Sequence, residues 1–237
     1  MRDQAAGLRR LFARRAARPL GVGGADTTPV AFELGLAMAE LGTRVLVVDR
    51  TRGDIAARLG CRARYELSHV LRGALRLEDV LLHGPHGLIA LPAARGLDEL
   101  ALASLHAEDG WQGRLASWLA QGGHDVDLWL INGLPPAGRE ADVLLAVRPT
   151  AAALTNAYAQ IKALATLRGQ RAFGVVVDRA TTDEAAQATF AGLAATARRF
   201  LAAQLAYRGH VPAGAFGPRR QAFLRLAHAL LPAPAHS

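Results

Sequence analysis

A doubly wound α/β domain, with a mainly parallel sheet flanked by helices, is predicted from three features of these 237 residues. Six short apolar runs are continuous rather than alternating, as strands buried on both faces must be. Ala- and Leu-rich segments with helical spacing lie between them, the pattern of strand–helix–strand crossovers. Hydrophobic residues make up 51% of the chain, enough to cover such a sheet within one core.

The runs are Val45–Asp49, Leu88–Pro92, Val126–Ile131, Val143–Val147, Phe173–Val177 and a weaker Leu205–Val211. The helical segments fall near 29–41, 97–105, 111–121, 150–168 and 183–204. Pro19 leaves open whether a strand forms ahead of the first run, because proline lacks the ladder N–H and is tolerated only at a strand end or an edge. Right-handed crossovers put any ligand at the carboxyl ends of the strands. There is no internal repeat, and Pro232–His236 is the low-complexity piece. Three parts are expected: a basic segment at 1–18, an α/β domain at 19–212, and a basic amphipathic helix with a Pro/Ala tail at 213–237.

Charged residues are 20% of the chain, too few for a disordered polyelectrolyte. A single cysteine, Cys61, excludes an internal disulfide and fits a reducing compartment. No apolar run approaches the ~18 residues that cross a bilayer. Arg2, Arg9, Arg10, Arg14 and Arg15 also interrupt any signal-peptide core. A cytoplasmic location is expected, with peripheral attachment to the inner membrane or a cell pole left open. The net charge of +8 sits at the two ends, six arginines against Asp3 in residues 1–18 and three arginines in 216–237. Basic ends on a neutral body suggest two attachment segments rather than a nucleic-acid face. His69, His83, His86, His106 and His124 have no metal-ligand spacing, so no metal site is expected from them. The lone lysine, Lys162, excludes any chemistry that needs a lysine elsewhere.

The segment Gly21-Val22-Gly23-Gly24-Ala25-Asp26-Thr27-Thr28 precedes a helix. A glycine-rich turn opening a helix exposes backbone N–H groups at the positive end of the helix dipole, a natural phosphate cradle. Taken alone, it reads better as an ordinary loop with Thr27 or Thr28 as N-cap.

The longer stretch GVGGADTTPVAFELGLAMAELGTRVLVVD resembles the opening of the MinD/ParA family of P-loop ATPases, whose loop reads K-G-G-x-G-K-T. The stretch from Tyr65 to Gly96 is similar to the flagellar-number-regulator branch of that family (FlhG, also called FleN). Asp142–Leu164 and the sequence from Phe173 resemble the family's later strand–helix units, so the likeness spans roughly residues 19–212. It implies an ATPase that dimerises around nucleotide, yet the loop departs from the pattern at the catalytic positions. Val22 stands where the family has its signature lysine, and Thr27 where the P-loop lysine binds the β- and γ-phosphates. Asp26 replaces a loop glycine, Thr51 a second, water-positioning Asp, and Asn132 the Walker B Asp. Gly23, Gly24, Thr28 and Asp49 are the residual groups that could hold ATP and Mg²⁺. Phosphoryl transfer depends on positioning and charge neutralisation, so these losses argue for a pseudo-ATPase. The segment after Asn132 is also expected to be shortened, running through Gly133-Leu134-Pro135-Pro136 into the next strand.

At the amino end, Asp3, Gln4, Ala5, Leu8 and Arg9 match the D-Q-A-x-x-L-R segment of the flagellar regulators. The resemblance implies a short helix that docks on FlhF, the flagellar signal-recognition-type (SRP-type) GTPase, and stimulates GTP hydrolysis. Leu8, Leu11 and Phe12 share one helical face, leaving Gln4 and Arg9 as hydrogen-bonding groups. A basic helix that is merely solvated, or that binds RNA, fits the same arginines. The resemblance is also compatible with a flagellar transcription regulator or a C-ring component as partner. At the carboxyl end, Phe223, Leu224, Leu226 and Leu230 form an apolar side, beside Arg219, Arg220 and Arg225. That helix suits an inner-membrane surface and equally suits packing on the domain.

Overall fold

A computed structural model describes residues 17–136, 141–214 and 216–231. The segment carrying Asp3, Gln4, Ala5, Leu8 and Arg9 lies outside the described residues, as does the Pro/Ala tail.

Alternating strands and helices build the chain in the order β1 (Arg18–Gly24), α1 (Thr28–Glu40), β2 (Val45–Asp49), α2 (Asp54–Arg58), α3 (Leu67–Leu71), β3 (Leu82–His83), β4 (Ile89–Pro92) and α4 (Gly96–Ala103). It continues with α5 (Gly110–Gln121), β5 (Leu128–Asn132), β6 (Asp142–Val147), α6 (Ala151–Arg168), β7 (Ala172–Ala180), α7 (Asp183–Leu201), β8 (Gln204–Pro212) and α8 (Phe216–Leu230). The eight strands form one sheet in the order β3-β4-β2-β5-β1-β6-β7-β8. The two-residue edge strand β3 runs antiparallel to β4, and the other neighbours pair in parallel.

The continuous apolar runs fill both faces of this sheet. In β2, Val45 and Val47 join a core with Val30 and Leu34 of α1 and Phe223 and Leu226 of α8. Leu46 and Val48 point the other way, into a core with Leu97, Leu100, Trp111 and Leu115. Under α6 and α7, Val143, Leu145 and Val175 pack with Ile161, Leu164 and Leu193. Each such side chain, fully buried, contributes roughly 1.5–3 kcal/mol. The two longest helices start at threonine caps: Thr150 Oγ1 accepts from the Ala153 N–H (3.3 Å) and Thr182 Oγ1 from the Ala185 N–H (3.1 Å). Gly169, at φ 65°, ends α6 in the left-handed conformation that glycine allows.

The strand left open by Pro19 does form, and it lies in the middle of the sheet between β5 and β6. Proline is accommodated because of where it sits. The Arg18 N–H donates to the Asp127 carbonyl on the β5 side (3.2 Å), so the next amide position faces β6. Pairing with β6 begins only at Leu20–Asp142, so no ladder bond is lost at residue 19.

Of the two readings open for the carboxyl-terminal helix, α8 takes the packed one here. Phe223 and Leu226 are buried in the α1 core, and Leu224 and Leu230 pack against it partly covered. Arg219 bonds to Asp178 and Arg220 pairs with Glu40 of α1, leaving Arg225 exposed. Among the described residues, no helix is long and apolar enough to cross a membrane.

Candidate functional site

Five strands deliver polar groups to one end of the sheet, where the crossovers predict a ligand site. Gly24, Asp49 and Asn132 end β1, β2 and β5, Arg148 follows β6, and Asp178 lies near the end of β7. Parallel register places Asn132 opposite both Val22 and Asp49, so the asparagine stands between the glycine loop and the end of β2.

Close approach shapes the loop. Gly24 has φ 137°, and a Cβ there would stand 2.3 Å from the Ala146 carbonyl oxygen. A Cβ on Gly21 would meet Pro135 Cδ at 2.4 Å, and one on Gly23 would meet Gln160 Oε1 at 2.6 Å. The segment after β5 therefore lies against β1: the Gly133 N–H donates to the Val22 carbonyl (3.0 Å) and Arg50 donates to the Leu134 carbonyl. Arg50 Nη2 also donates to both carboxylate oxygens of Asp98 on α4 (2.7 and 2.9 Å). Gln160, on α6, grips the loop with both atoms of its carboxamide. Its Oε1 accepts from the Gly24 N–H (3.0 Å), and its Nε2 donates to the Gly24 carbonyl (3.1 Å).

Asn132 organises the floor. Its Oδ1 accepts from the Thr27 hydroxyl (2.7 Å), and its Nδ2 donates to Thr28 Oγ1 (3.0 Å) and to Asp49 Oδ1 (3.1 Å). Asp49, 1% exposed, also accepts from the Thr51 N–H (2.9 Å) and hydroxyl (2.6 Å), and from the Ile55 N–H (3.2 Å). A buried carboxylate needs such a shell, because an unpaired one would cost several kcal/mol. Thr51 further accepts from the Asp54 N–H (3.1 Å) at the start of α2.

The opposite flank is ionic. Asp26, at the loop tip, pairs with Arg148. Arg148 Nε lies 3.9 Å from Asp178 Oδ2, and Arg219 Nη1 is 3.1 Å from Asp178 Oδ1. The Asp178 side chain is 3% exposed, and Arg219 also donates to the Pro212 carbonyl (2.8 Å), tying α8 to the sheet end.

The structure thus brings together Gly23, Gly24, Asp26, Thr27, Thr28, Asp49, Thr51 and Asn132 at one end of the sheet. Val22 is different: it is fully buried in the α1 core, so the signature position carries a core side chain. Sequence reasoning missed Gln160 and Arg148, single polar residues on a helix and after a strand with no local pattern to mark them. The ATP and Mg²⁺ implied by the resemblance do not fit these residues. A triphosphate would meet the Asp26 carboxylate and no lysine. A cation would have to displace Asn132 Nδ2 from both Thr28 and Asp49.

This loop-to-helix turn at the end of a parallel sheet defines a domain of the MinD/ParA type. The MinD cell division protein of Aquifex aeolicus superposes with a TM-score of 0.64 over 93% of this chain and 100% of its own, at 19% identity. McdA of Cyanothece, in its ATP complex, gives 0.62 over 92% and 97%, at 13% identity. No family model matches the chain. The antiactivator FleN of Pseudomonas aeruginosa is 30% identical over 202 residues, 81% of this chain and 71% of FleN. The chain belongs to the flagellar-number-regulator (FlhG/FleN) branch of the MinD/ParA family.

Proposed function

We propose that this chain regulates flagellar number and placement by binding a partner rather than by turning over ATP. The observation that carries the reading is membership of the branch that contains FleN. Support for action without turnover comes from the loop, where Asp26 is an acid and Asn132 an amide among the groups that would handle phosphate and metal.

The partner is the flagellar SRP-type GTPase. Asp3, Gln4, Ala5, Leu8 and Arg9 make the contact, with Gln4 orienting water and Arg9 stabilising charge as GTP is hydrolysed. The antiactivator description of the Pseudomonas relative supports a second reading, restraint of a flagellar transcription regulator. Phe223 and Leu226 of α8 lie in the core, so this reading gives α8 a packing role.

The test is GTP hydrolysis by the partner GTPase with wild type, with a form lacking residues 1–15, and with Gln4→Ala. The expected result is stimulation by wild type that both variants lose while melting at the wild-type temperature. A folded wild type that leaves the rate unchanged removes the GTPase as the target and favours the transcription regulator.

A further inference from the structure

We infer that two carboxamides of this chain occupy the roles of the ligand at its own loop: Asn132 replaces the metal ion and Gln160 replaces a phosphate oxygen. The inference deepens the reading that the protein acts without ATP turnover and rests on it.

In a P-loop the hydroxyl of the residue after the lysine and the acids at the strand ends converge on Mg²⁺, while loop N–H groups converge on phosphate oxygens. Those acceptors and donors repel or are left unpaired unless something of opposite character sits between them. Here Asn132 Nδ2 is that group for the cation side. It donates to Thr28 Oγ1 at 3.0 Å and to Asp49 Oδ1 at 3.1 Å, joining the hydroxyl and the carboxylate that a divalent ion would join. Two N–H bonds from a neutral amide satisfy these acceptors without the charge or hydration of Mg²⁺. Asn132 Oδ1 is occupied as well, accepting from Thr27 at the position of the missing lysine (2.7 Å).

Gln160 is the group for the phosphate side. Its Oε1 takes the Gly24 N–H at 3.0 Å, as a phosphate oxygen would. Its Nε2 closes the ring on the Gly24 carbonyl at 3.1 Å and also donates to Asn156 Oδ1 at 2.8 Å. The contact is close enough that a Cβ on Gly23 would lie 2.6 Å from the same oxygen. A loop filled from within keeps one conformation whether or not nucleotide is present, so partner binding does not wait for ATP.

The experiment measures melting temperature and hydrogen exchange of full-length wild type, Asn132→Asp and Gln160→Ala, in EDTA, in MgCl₂, and in Mg-ATP, with NaCl matching ionic strength. Wild type is expected to melt at the same temperature in all three. Asn132→Asp removes the donor and sets a second carboxylate beside Asp49, so it should melt about 5 °C lower in EDTA. Millimolar Mg²⁺ should return most of that loss, because the bridging charge is then required. Gln160→Ala should leave the fold intact and raise exchange at Gly24–Thr27 at least tenfold.

A saturable rise of the wild-type melting temperature with Mg²⁺ or Mg-ATP overturns the inference. So does an Asn132→Asp protein that melts like wild type in EDTA or gains nothing from Mg²⁺. If Asn132→Asp does not fold, the wild-type arms and Gln160→Ala still decide. Stimulation of the GTPase is read on the same wild-type sample. Stimulation with a saturable Mg-ATP shift sinks this inference and leaves the partner assignment standing, and no stimulation with no shift sinks the partner assignment alone.

Discussion

The two flanks of the glycine loop satisfy their polar groups by opposite means. Toward β2 and β5 the work is done by a neutral amide: Asn132 connects Thr27, Thr28 and Asp49 at the closed floor. Toward β6 and β7 it is done by charge, through Asp26, Arg148, Asp178 and Arg219. The difference shows two ways of satisfying polar groups around one loop. Where burial is complete, an uncharged donor avoids the desolvation that a buried ion pair must overcome. Where the loop tip meets solvent, an acid and a guanidinium can be hydrated and still pair. The ionic route also reaches further, since Arg219 belongs to α8 and ties that helix to the end of β7.

Substitutions on the two flanks should differ in size and in their response to Mg²⁺. Arg219→Ala should have the largest effect, about 3 kcal/mol in urea denaturation, because it strips the nearest cation from a buried carboxylate. The figure lies at the low end for such pairs, since Arg179 Nε at 3.6 Å and Arg148 Nε at 3.9 Å stay near Asp178. A loss below about 1 kcal/mol, the range of exposed pairs, would show that charge does not hold this flank. The smaller expected effect, for Asn132→Asp, is the one that Mg²⁺ should reverse, whereas the ion should do nothing for Arg219→Ala.

The amino end of the sheet supplies the weakest case. The Arg44 guanidinium, hydrogen-bonded to Asp127 (2.9 Å), holds that carboxyl below its ordinary range. A depressed carboxyl contributes stability above its unfolded pKa and loses it as pH falls through the lower folded value. The Asp127 side chain is 44% exposed, so the contribution is screened to about 0.5 kcal/mol. Asp127→Asn should therefore cost that much at neutral pH and nothing in acid well below the folded pKa. Equal destabilisation at both pH values would mean that packing, not charge, links Arg44 to the strand.

Much of the fold was legible because its signals are local. The six apolar runs became β2 and β4–β8, with ends shifted by a few residues. β1 was not legible as a strand, since Pro19 and three glycines dilute its apolar pattern. Those glycines are there because Pro135, Gln160 and Ala146 come within contact distance, which no neighbouring residue announces. The short α2, α3 and β3 likewise depend on packing rather than periodicity. At the site, the substitutions Asp26, Thr27 and Asn132 could be read as departures from a pattern. The partners of those groups could not, because Asn132 and Thr27 are 105 residues apart and Gln160 and Gly24 are 136 apart. For α8, one amphipathic pattern serves a membrane or a core equally, and the contacts with α1 are not announced by it.

The claim that this protein regulates without ATP is tested most directly by equilibrium binding of labelled ATP to the full-length wild-type chain, with Mg²⁺ present. No saturable binding is expected up to millimolar nucleotide. Saturation at micromolar ATP would contradict it, since Asn132 and Gln160 would then have yielded their places to the ligand.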